Sequence, residues 1–210
     1  CIRDRSITVL AAGFTGMVLS LQFAIGLEPF GASMYTGKLV CLGIVRELGP
    51  VLTALLVGGR VGAGYTAEIG SMNVTEQVDA IKALGADPIR KLVMPRVFAM
   101  TLALPLLTML ADIVGCFGGI IITVLEVGVT IRFVFDQMVE TLWVVDLLHG
   151  LSKSVFFGYL IGVIGCWNGL RTFGGTEGVG IATTRTVVFI SVSILVSDFV
   201  LTRIFLAIYG

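Results

Sequence analysis

Charged side chains are scarce in this chain, and neither sign predominates. Asp, Glu, Lys and Arg make up 13% of the 210 residues, with 14 acidic and 14 basic side chains, whereas soluble domains carry about 25%. Hydrophobic residues make up 56%, which leaves too little polar surface to cover a water-soluble fold. The composition therefore excludes a disordered chain, a nucleic-acid binder that relies on basic charge, and most soluble enzymes. It predicts an integral membrane protein.

Residues that bind metals or act as nucleophiles are equally sparse. His149 is the single histidine, and Cys1, Cys41, Cys116 and Cys166 are scattered without a C-x-x-C pair. Such a sequence lacks the ligands of a zinc site, so we expect no metal and no catalytic residue on this chain. We expect the cysteines to be small buried apolar side chains and the histidine to be structural. The phosphate-loop motif is also absent, so nucleotide hydrolysis by that route is not expected here.

Five apolar stretches are long enough to cross a bilayer, for which a helix needs about 20 residues. The predicted spans are residues 7–27, 39–59 with a continuation to 64, 97–124, 147–170 and 187–209. The predicted fold class is an all-α integral membrane protein with about five transmembrane helices, a short cytoplasmic helix and a helix on the outer surface.

Basic residues are distributed unequally between the loops. Eight of them lie before span one, between spans two and three, or between spans four and five. They are Arg3, Arg5, Lys82, Arg90, Lys91, Arg96, Arg171 and Arg185. Only Lys38 and Arg132 lie in the other two loops. The positive-inside rule therefore places the beginning of the chain and the two basic loops in the cytoplasm.

A short amphipathic helix is predicted in the cytoplasmic loop between spans two and three. Asn73 followed by Glu76 has the spacing of a capping box, and Gly85 and Pro88 are typical of a helix end. The apolar positions that share one face are Val74, Val78, Ile81 and Leu84. Glu76 and Asp79 then lie on the exposed side. From the residues alone, a contact with a partner and a helix lying on the membrane surface are both open.

The outer loop between spans three and four, residues 126–146, shows a second amphipathic pattern. Its apolar stripe consists of Ile131, Phe135, Met138, Leu142 and Val145. Asp136 and Glu140 lie opposite, and Trp143 suits a membrane interface. We expect this segment to lie flat on the outer membrane surface.

Arg46 and Glu47 are the most informative polar residues, because ionisable side chains inside a span are costly and usually face a bundle interior or a water-filled cavity. Pro50 follows and allows a bend. One interpretation is a polar contact inside a substrate cavity. The other is a structural pair that bridges to another helix. The possible partners are Asp112, Lys153 and Asp198, which we expect to form an ion-pair network rather than a proton relay.

Glycines near the end of span two allow close helix packing. Gly58 and Gly62 have G-x-x-x-G spacing, and this part of span two, like span five, is a candidate for a dimer contact. Residues 62–67 also match the dinucleotide fingerprint G-x-G-x-x-A. We reject that match because no strand precedes it.

The segment from Arg46 to Arg96 resembles the signature region of the MlaE/YrbE permease family. It reads RELGPVLTALLVGGRVGAGYTAEIGSMNVTEQVDAIKALGADPIRKLVMPR. Shorter matches are GMVLSLQ at residues 16–22, ATTRTVV at 182–188 and SDFVLT at 197–202. The resemblance extends over essentially the whole chain, so residues 1–210 are identified as a permease domain. Family members carry a further N-terminal segment, and we expect this sequence to be part of a longer protein.

The resemblance implies an ABC-type lipid transporter in the inner membrane of Gram-negative bacteria. In that family the permease is a homodimer, and a separate cytoplasmic ATPase, which binds ATP and Mg²⁺, attaches to each copy. A hexameric MCE-domain protein lies on the periplasmic side, and a STAS-domain protein often binds the ATPase. The cargo is usually phospholipid. No nucleic acid is involved, and no cofactor is expected on this chain.

The resemblance also implies two sets of site residues. The family's lipid-binding cavity corresponds to Leu19, Gln22, Leu27, Phe30, Arg46, Glu47 and Leu48. The helix that couples the permease to its ATPase corresponds to a set within residues 73–87, namely Asn73, Glu76, Gln77, Asp79, Ala80, Lys82, Ala83 and Asp87. The outer loop 126–146 would support the MCE ring.

Three other functions compete with this interpretation. A proton-coupled secondary transporter would use Glu47, Asp112 and Asp198, but the odd number of spans and the lack of a visible repeat argue against it. A lipid-modifying enzyme would need a metal cluster or an activated nucleophile. A passive scaffold would gain nothing from the costly Arg46 and Glu47.

Overall fold

The computed structural model describes residues 2–209, and the side chains of residues 6–208. No strand occurs within the described backbone. The α-helices are α1 Ile2–Leu27, α2 Thr36–Gly43, α3 Gly49–Val57, α4 Ala63–Val74, α5 Gln77–Ala83, α6 Met94–Val127, α7 Ile131–Thr141, α8 Val144–Leu170 and α9 Gly175–Tyr209. Cys1 lies outside the described residues, as do the side chains of Arg3 and Arg5. The other three cysteines are free and buried, as predicted.

Five segments are long and apolar enough to cross a membrane, which confirms the predicted fold class. They are Ser6–Phe30, Ser33–Val74, Ile89–Val127, Val144–Leu170 and Gly175–Ile208. The predicted start of span five at residue 187 was wrong, because the polar residues that open α9 are helical as well. Arg185 therefore lies within a helix rather than in a loop. Hydropathy finds the apolar centre of a span and misses helical turns that project beyond it.

Three π-helical segments occur within the described residues, two of them inside the second span and one at the start of the third. They are Ile44–Leu48, Gly58–Gly62 and Ile89–Val93. The first and third each end two residues before a proline, Pro50 and Pro95. A proline ring clashes with the carbonyl four residues earlier and offers no N–H. The wider turn avoids that clash, because Gly49 N–H donates to the Ile44 carbonyl and Met94 N–H donates to the Ile89 carbonyl.

The chain divides into two compact units. The first consists of residues up to Thr53 together with Leu106–Ser152. Its core contains Val40, Cys41, Ile44, Val45, Cys116, Ile120, Val134 and Met138. Gly16 lies so close to Gly115 that a Cβ atom at residue 16 would meet the Gly115 carbonyl. One turn further along α1, the Ser20 hydroxyl donates to the Gly119 carbonyl over 3.0 Å. This hydrogen bond links α1 to α6.

The second unit consists of Ala54–Pro105 together with the chain from Lys153 onward. Its glycine-rich turn is tightly enclosed, since a Cβ atom on Gly58 would come within 2.9 Å of Ile190 and 3.0 Å of Ile161. Thr66 donates to the Gly165 carbonyl over 2.8 Å. The predicted close packing at Gly58 and Gly62 is thus confirmed. Both glycines are buried against α8 and α9 of the same chain, which removes them as a surface for dimer contact.

The two amphipathic loops differ from their predicted details. The short cytoplasmic helix is α5, and Asn73 belongs to the last turn of α4 instead of capping α5. Asn73 cannot cap α5, because it is itself helical within α4 and Glu76 is the residue that precedes α5. Its side-chain Nδ2 donates to the Thr172 carbonyl over 3.0 Å. Leu84, predicted on the packed face, is exposed, whereas Val78 is buried.

In the outer loop, α7 packs on α2 through a face that includes only part of the predicted apolar stripe. Val134 and Met138 are buried, whereas Ile131 and Phe135 are exposed. Gly37 of α2 explains the choice, because a Cβ atom there would come within 2.6 Å of Val134. Close approach to a glycine thus selects the packed face of α7. That this helix lies flat on the outer membrane surface stays a prediction.

Candidate functional site

Arg46 lies in the first π segment and forms an ion pair with Asp146. Its Nε donates to Asp146 Oδ1 over 2.6 Å, and a second guanidinium nitrogen contacts the same carboxyl oxygen. The Asp146 side chain is 4% exposed and that of Arg46 is 39% exposed. The expected structural partners Asp112, Lys153 and Asp198 did not include this residue. Asp146 therefore positions Arg46 while part of the Arg46 side chain stays accessible.

Asp146 owes its position to the start of α8. It is the third residue of that helix, and its Oδ2 accepts a hydrogen bond of 3.0 Å from the backbone N–H of Trp143, the residue before the helix. This is the acidic half of a capping box. An acidic side chain in the first helical turn is also stabilised by the helix dipole. One carboxylate thus caps α8 and neutralises Arg46.

The predicted cavity residues differ in their exposure. Arg46, Glu47 and Leu48 are half-buried on consecutive positions of the π segment. Leu19 packs against the core of the first unit, and its side chain lies beside Gly43. Leu27 is half-buried. Gln22 and Phe30 are exposed. Their role in a cavity stays a prediction.

A separate pocket of about 320 Å³ lies in the first unit and is lined by apolar side chains. Its walls include Val45, Met109, Ile113, Phe117, Phe135, Met138 and Leu142. None of the seven predicted cavity residues lines it. Asp112 is its one carboxyl group, and Oδ1 of that residue has no hydrogen-bond partner among the described residues. Asp112 abuts Gly49, where a side chain would collide with the carboxyl group.

The expected ion-pair network exists in part. Lys153 is completely buried, and its Nζ lies 3.0 Å from Asp198 Oδ1 and donates to the Thr202 hydroxyl over 2.7 Å. This pair joins α8 to α9 within the second unit. Asp112 was expected in the same network and forms no ion pair among the described residues. The interpretation of these three residues as one network was therefore wrong for Asp112.

Most of the predicted coupling residues lie on an exposed surface around α5. The exposed members are Glu76, Gln77, Asp79, Ala80, Lys82, Ala83 and Asp87, and Asn73 is half-buried. Val78 anchors the helix, with 2% of its surface exposed. Glu76 adopts a left-handed backbone conformation, with φ of 60°, that separates α5 from α4. Lys82 and Asp79 pair along the exposed face over 2.7 Å.

The similarity to known proteins covers nearly all of the chain. Residues 3–204 match the family model described as Permease MlaE. This chain belongs to the MlaE permease family. The family match includes the charged π segment, α5 and all five candidate spans up to residue 204.

Individual relatives of this MlaE-family chain come from bacteria and a plant. The intermembrane phospholipid transport system permease protein MlaE of Haemophilus influenzae is 41% identical over 204 residues, which is 97% of this chain and 78% of that protein. A probable ABC transporter permease protein of Synechocystis is 44% identical over 200 residues, covering 94% of this chain and 75% of the relative. The chloroplastic protein TRIGALACTOSYLDIACYLGLYCEROL 1 of Arabidopsis thaliana is 39% identical over 203 residues, which is 97% of this chain and 58% of that protein.

Proposed function

We propose that this MlaE-family chain is the membrane-spanning subunit of an ABC transporter that moves phospholipid between the inner and outer membranes of a Gram-negative bacterium. The observation that carries the proposal is the charged turn at Arg46 and Glu47, half-buried within a span of a permease-family chain. Intramembrane charges are expensive and usually serve a pathway or a binding site. The printed name of the Haemophilus influenzae relative supports phospholipid as the cargo.

The chemistry of a phospholipid suits such a turn. Its acyl chains need an apolar surface, and its head group needs a few well-placed polar groups. Asp146 pairs with Arg46, the Arg46 side chain is 39% exposed, and a guanidinium is suited to a phosphate oxygen. Leu19, Leu27, Leu48 and the exposed Phe30 would provide apolar contacts, and Gln22 a polar one. In a homodimer, the exposed members of this set would face the second copy.

ATP hydrolysis would take place on a separate cytoplasmic ATPase, which would bind ATP and Mg²⁺. The α5 surface fits the contact with that subunit, because its exposed residues carry charges of both signs and the buried Val78 anchors the helix to the rest of its unit. Closure of the ATPase pair would then move α5 and, through α4, the span that contains the charged π segment. A periplasmic MCE-domain protein on the outer side and a STAS-domain protein on the ATPase complete the proposed assembly.

Glu47 provides the test of the transport site. Replacing Glu47 by lysine places a second positive charge beside Arg46 in a half-buried turn. We expect Glu47→Lys to reduce lipid transfer by at least about tenfold, the effect of roughly 1.4 kcal/mol, while assembly with companion subunits is retained. The measurement is transfer of labelled phospholipid by the complete complex reconstituted into liposomes. Glu47→Gln is the matched control that keeps the shape and removes only the charge. Wild-type transfer by the lysine variant would contradict the role of this turn.

Asp79 provides the test of the coupling surface. Asp79→Lys reverses an exposed charge on α5 and removes the pair with Lys82. We expect weaker binding of the ATPase, because charge reversal at a complementary interface opposes association. The measurement is the amount of ATPase that co-purifies with the variant. Glu126→Lys is the control, since it reverses an exposed acidic residue outside the cytoplasmic loops predicted here. Equal recovery of ATPase with both variants would exclude α5 as the contact.

A further inference from the structure

A basic cleft with no assigned role lies where α8 ends and α9 begins. It has a volume of about 480 Å³ and lies within the second unit. Arg171 and Arg185 both line it, next to the indole of Trp167 and the side chain of Asn168. None of its residues belongs to the predicted cavity or to the coupling surface. The volume lies in the range of ordinary ligand-binding pockets.

The two arginines of this cleft carry charge that the protein does not neutralise. Neither forms an ion pair with any residue in the described part of the chain. Arg171 is positioned by an aromatic ring, since its guanidinium carbon lies 4.0 Å from the centre of the Trp167 ring. Among the residues that line the cleft and an adjacent groove, Glu177 is the one acidic side chain, and it borders the groove, which also includes Arg185. The cleft therefore has a net positive charge and suits an anion.

An apolar stripe continues from the cleft along α9. Phe189 lines the cleft and is followed at helical spacing by Val192, Val196 and Phe199. All four side chains are more than half exposed. They follow Arg185 on one face of a helix that is long enough to span the membrane. Two positive charges at the end of an apolar stripe match a negatively charged head group with its acyl chains.

We propose that this cleft binds an anionic phospholipid of the surrounding membrane, with its phosphate between Arg171 and Arg185 and one acyl chain along the stripe of α9. Basic pockets between helices on the cytoplasmic side of a membrane are suited to such lipids, and the basic loops predict that side for this cleft. The stripe favours a lipid over free phosphate, because free phosphate would use only the arginines. The site requires no transport, so its test is independent of the proposed function.

The test uses the full-length protein with its co-purifying companions in a mild detergent. Phosphatidylglycerol, phosphatidylcholine with the same acyl chains, and inorganic phosphate are titrated separately, and the midpoint of thermal unfolding is followed. We expect phosphatidylglycerol to raise the midpoint at the lowest concentration. In the double variant R171Q/R185Q, its apparent affinity should fall by about ten- to thirtyfold, as two surface charges predict.

Two further variants make the result specific. R171K/R185K keeps both charges and should retain most of the phosphatidylglycerol response, which separates lost binding from misfolding. K38Q/K91Q removes two exposed basic residues elsewhere and should respond as wild type does. The proposal is overturned if R171Q/R185Q binds phosphatidylglycerol as tightly as wild type. It is also overturned if inorganic phosphate alone reproduces the stabilisation, or if the variant loses a companion protein while its phosphatidylglycerol titration is unchanged.

Discussion

Replacing Lys153 by methionine should destabilise the protein by about 3–5 kcal/mol, the usual cost of removing one partner from a buried ion pair. Lys153 is completely buried, and its ammonium group lies 3.0 Å from the Asp198 carboxylate. Methionine fills a similar volume, so the change removes mainly the charge and the hydrogen bond to Thr202. The measurement is the free energy of unfolding in mixed micelles as the denaturing detergent is increased.

The double variant Lys153→Met/Asp198→Leu tests whether charge is the cause. Removing both partners together should recover most of the lost stability, because an apolar pair of similar shape is often as stable as a buried ion pair. Thr202→Val is the control for the Thr202 hydroxyl, which also donates to the Asp198 carbonyl, and should cost about 1 kcal/mol. If the double variant is as unstable as the sum of its single changes, the pair is not the source of the effect.

Replacing Asp146 by alanine should cost about 2–4 kcal/mol and should remove the ion pair with Arg46. The carboxylate makes two contributions, namely a helix cap of about 1 kcal/mol and a charge-assisted hydrogen bond of about 1.5–3 kcal/mol. Half-exposure of Arg46 favours the lower end of the sum, because water partly replaces the lost partner. Unfolding in mixed micelles measures the free energy of unfolding. Lipid transfer by the complete complex measures how loss of the pair with Arg46 affects transport.

Two controls isolate the role of Asp146. Asp136→Ala removes an exposed acidic residue from α7 and should change stability by less than about 0.5 kcal/mol. Asp146→Asn keeps an oxygen that accepts from the Trp143 backbone and loses only the charge, so it should be intermediate. Equal stability of Asp146→Ala and Asp136→Ala would show that the pair with Arg46 contributes nothing measurable.

The sequence was sufficient to predict the membrane class, the five spans and the burial of the three described cysteines. These properties depend on composition and on the length of apolar runs, which are local. Close packing at Gly58 and Gly62 could also be predicted, because two small residues one turn apart leave space for a neighbouring helix. The resemblance added the family, which the match over residues 3–204 confirmed.

Partner choice over long separations could not be predicted from local patterns. Arg46 and Asp146 are 100 positions apart, and the choice of Asp146 over Asp112 depends on how α8 begins beside the π segment. The spacing between Trp143 and Asp146 could have indicated a helix start, but not the ion pair. Asn73 shows the same limit, since it has the spacing of a capping box, but α4 continues to Val74 and the Asn73 side chain donates to the distant Thr172 carbonyl.

The π segments before Pro50 and Pro95 had a local signal in the sequence, namely the proline that follows each of them. Pro50 was interpreted only as a place where the span bends. A proline in a helix interior also favours a preceding turn that is kinked, widened or broken, and Pro50 and Pro95 follow their π segments at the same distance. Such turns occur frequently at functional sites. Here the first of them presents Arg46, Glu47 and Leu48 on a half-buried surface.

Affinity purification of the full-length protein from its native membrane, with every stoichiometric companion identified by mass spectrometry, tests the central claim most directly. The proposed ABC permease should be recovered with a soluble ATPase and an MCE-domain protein, and addition of ATP to this assembly should drive phospholipid transfer. Recovery of the chain alone, under conditions in which such assemblies survive, together with lipid movement that depends on a proton gradient, would contradict the claim and favour a secondary transporter.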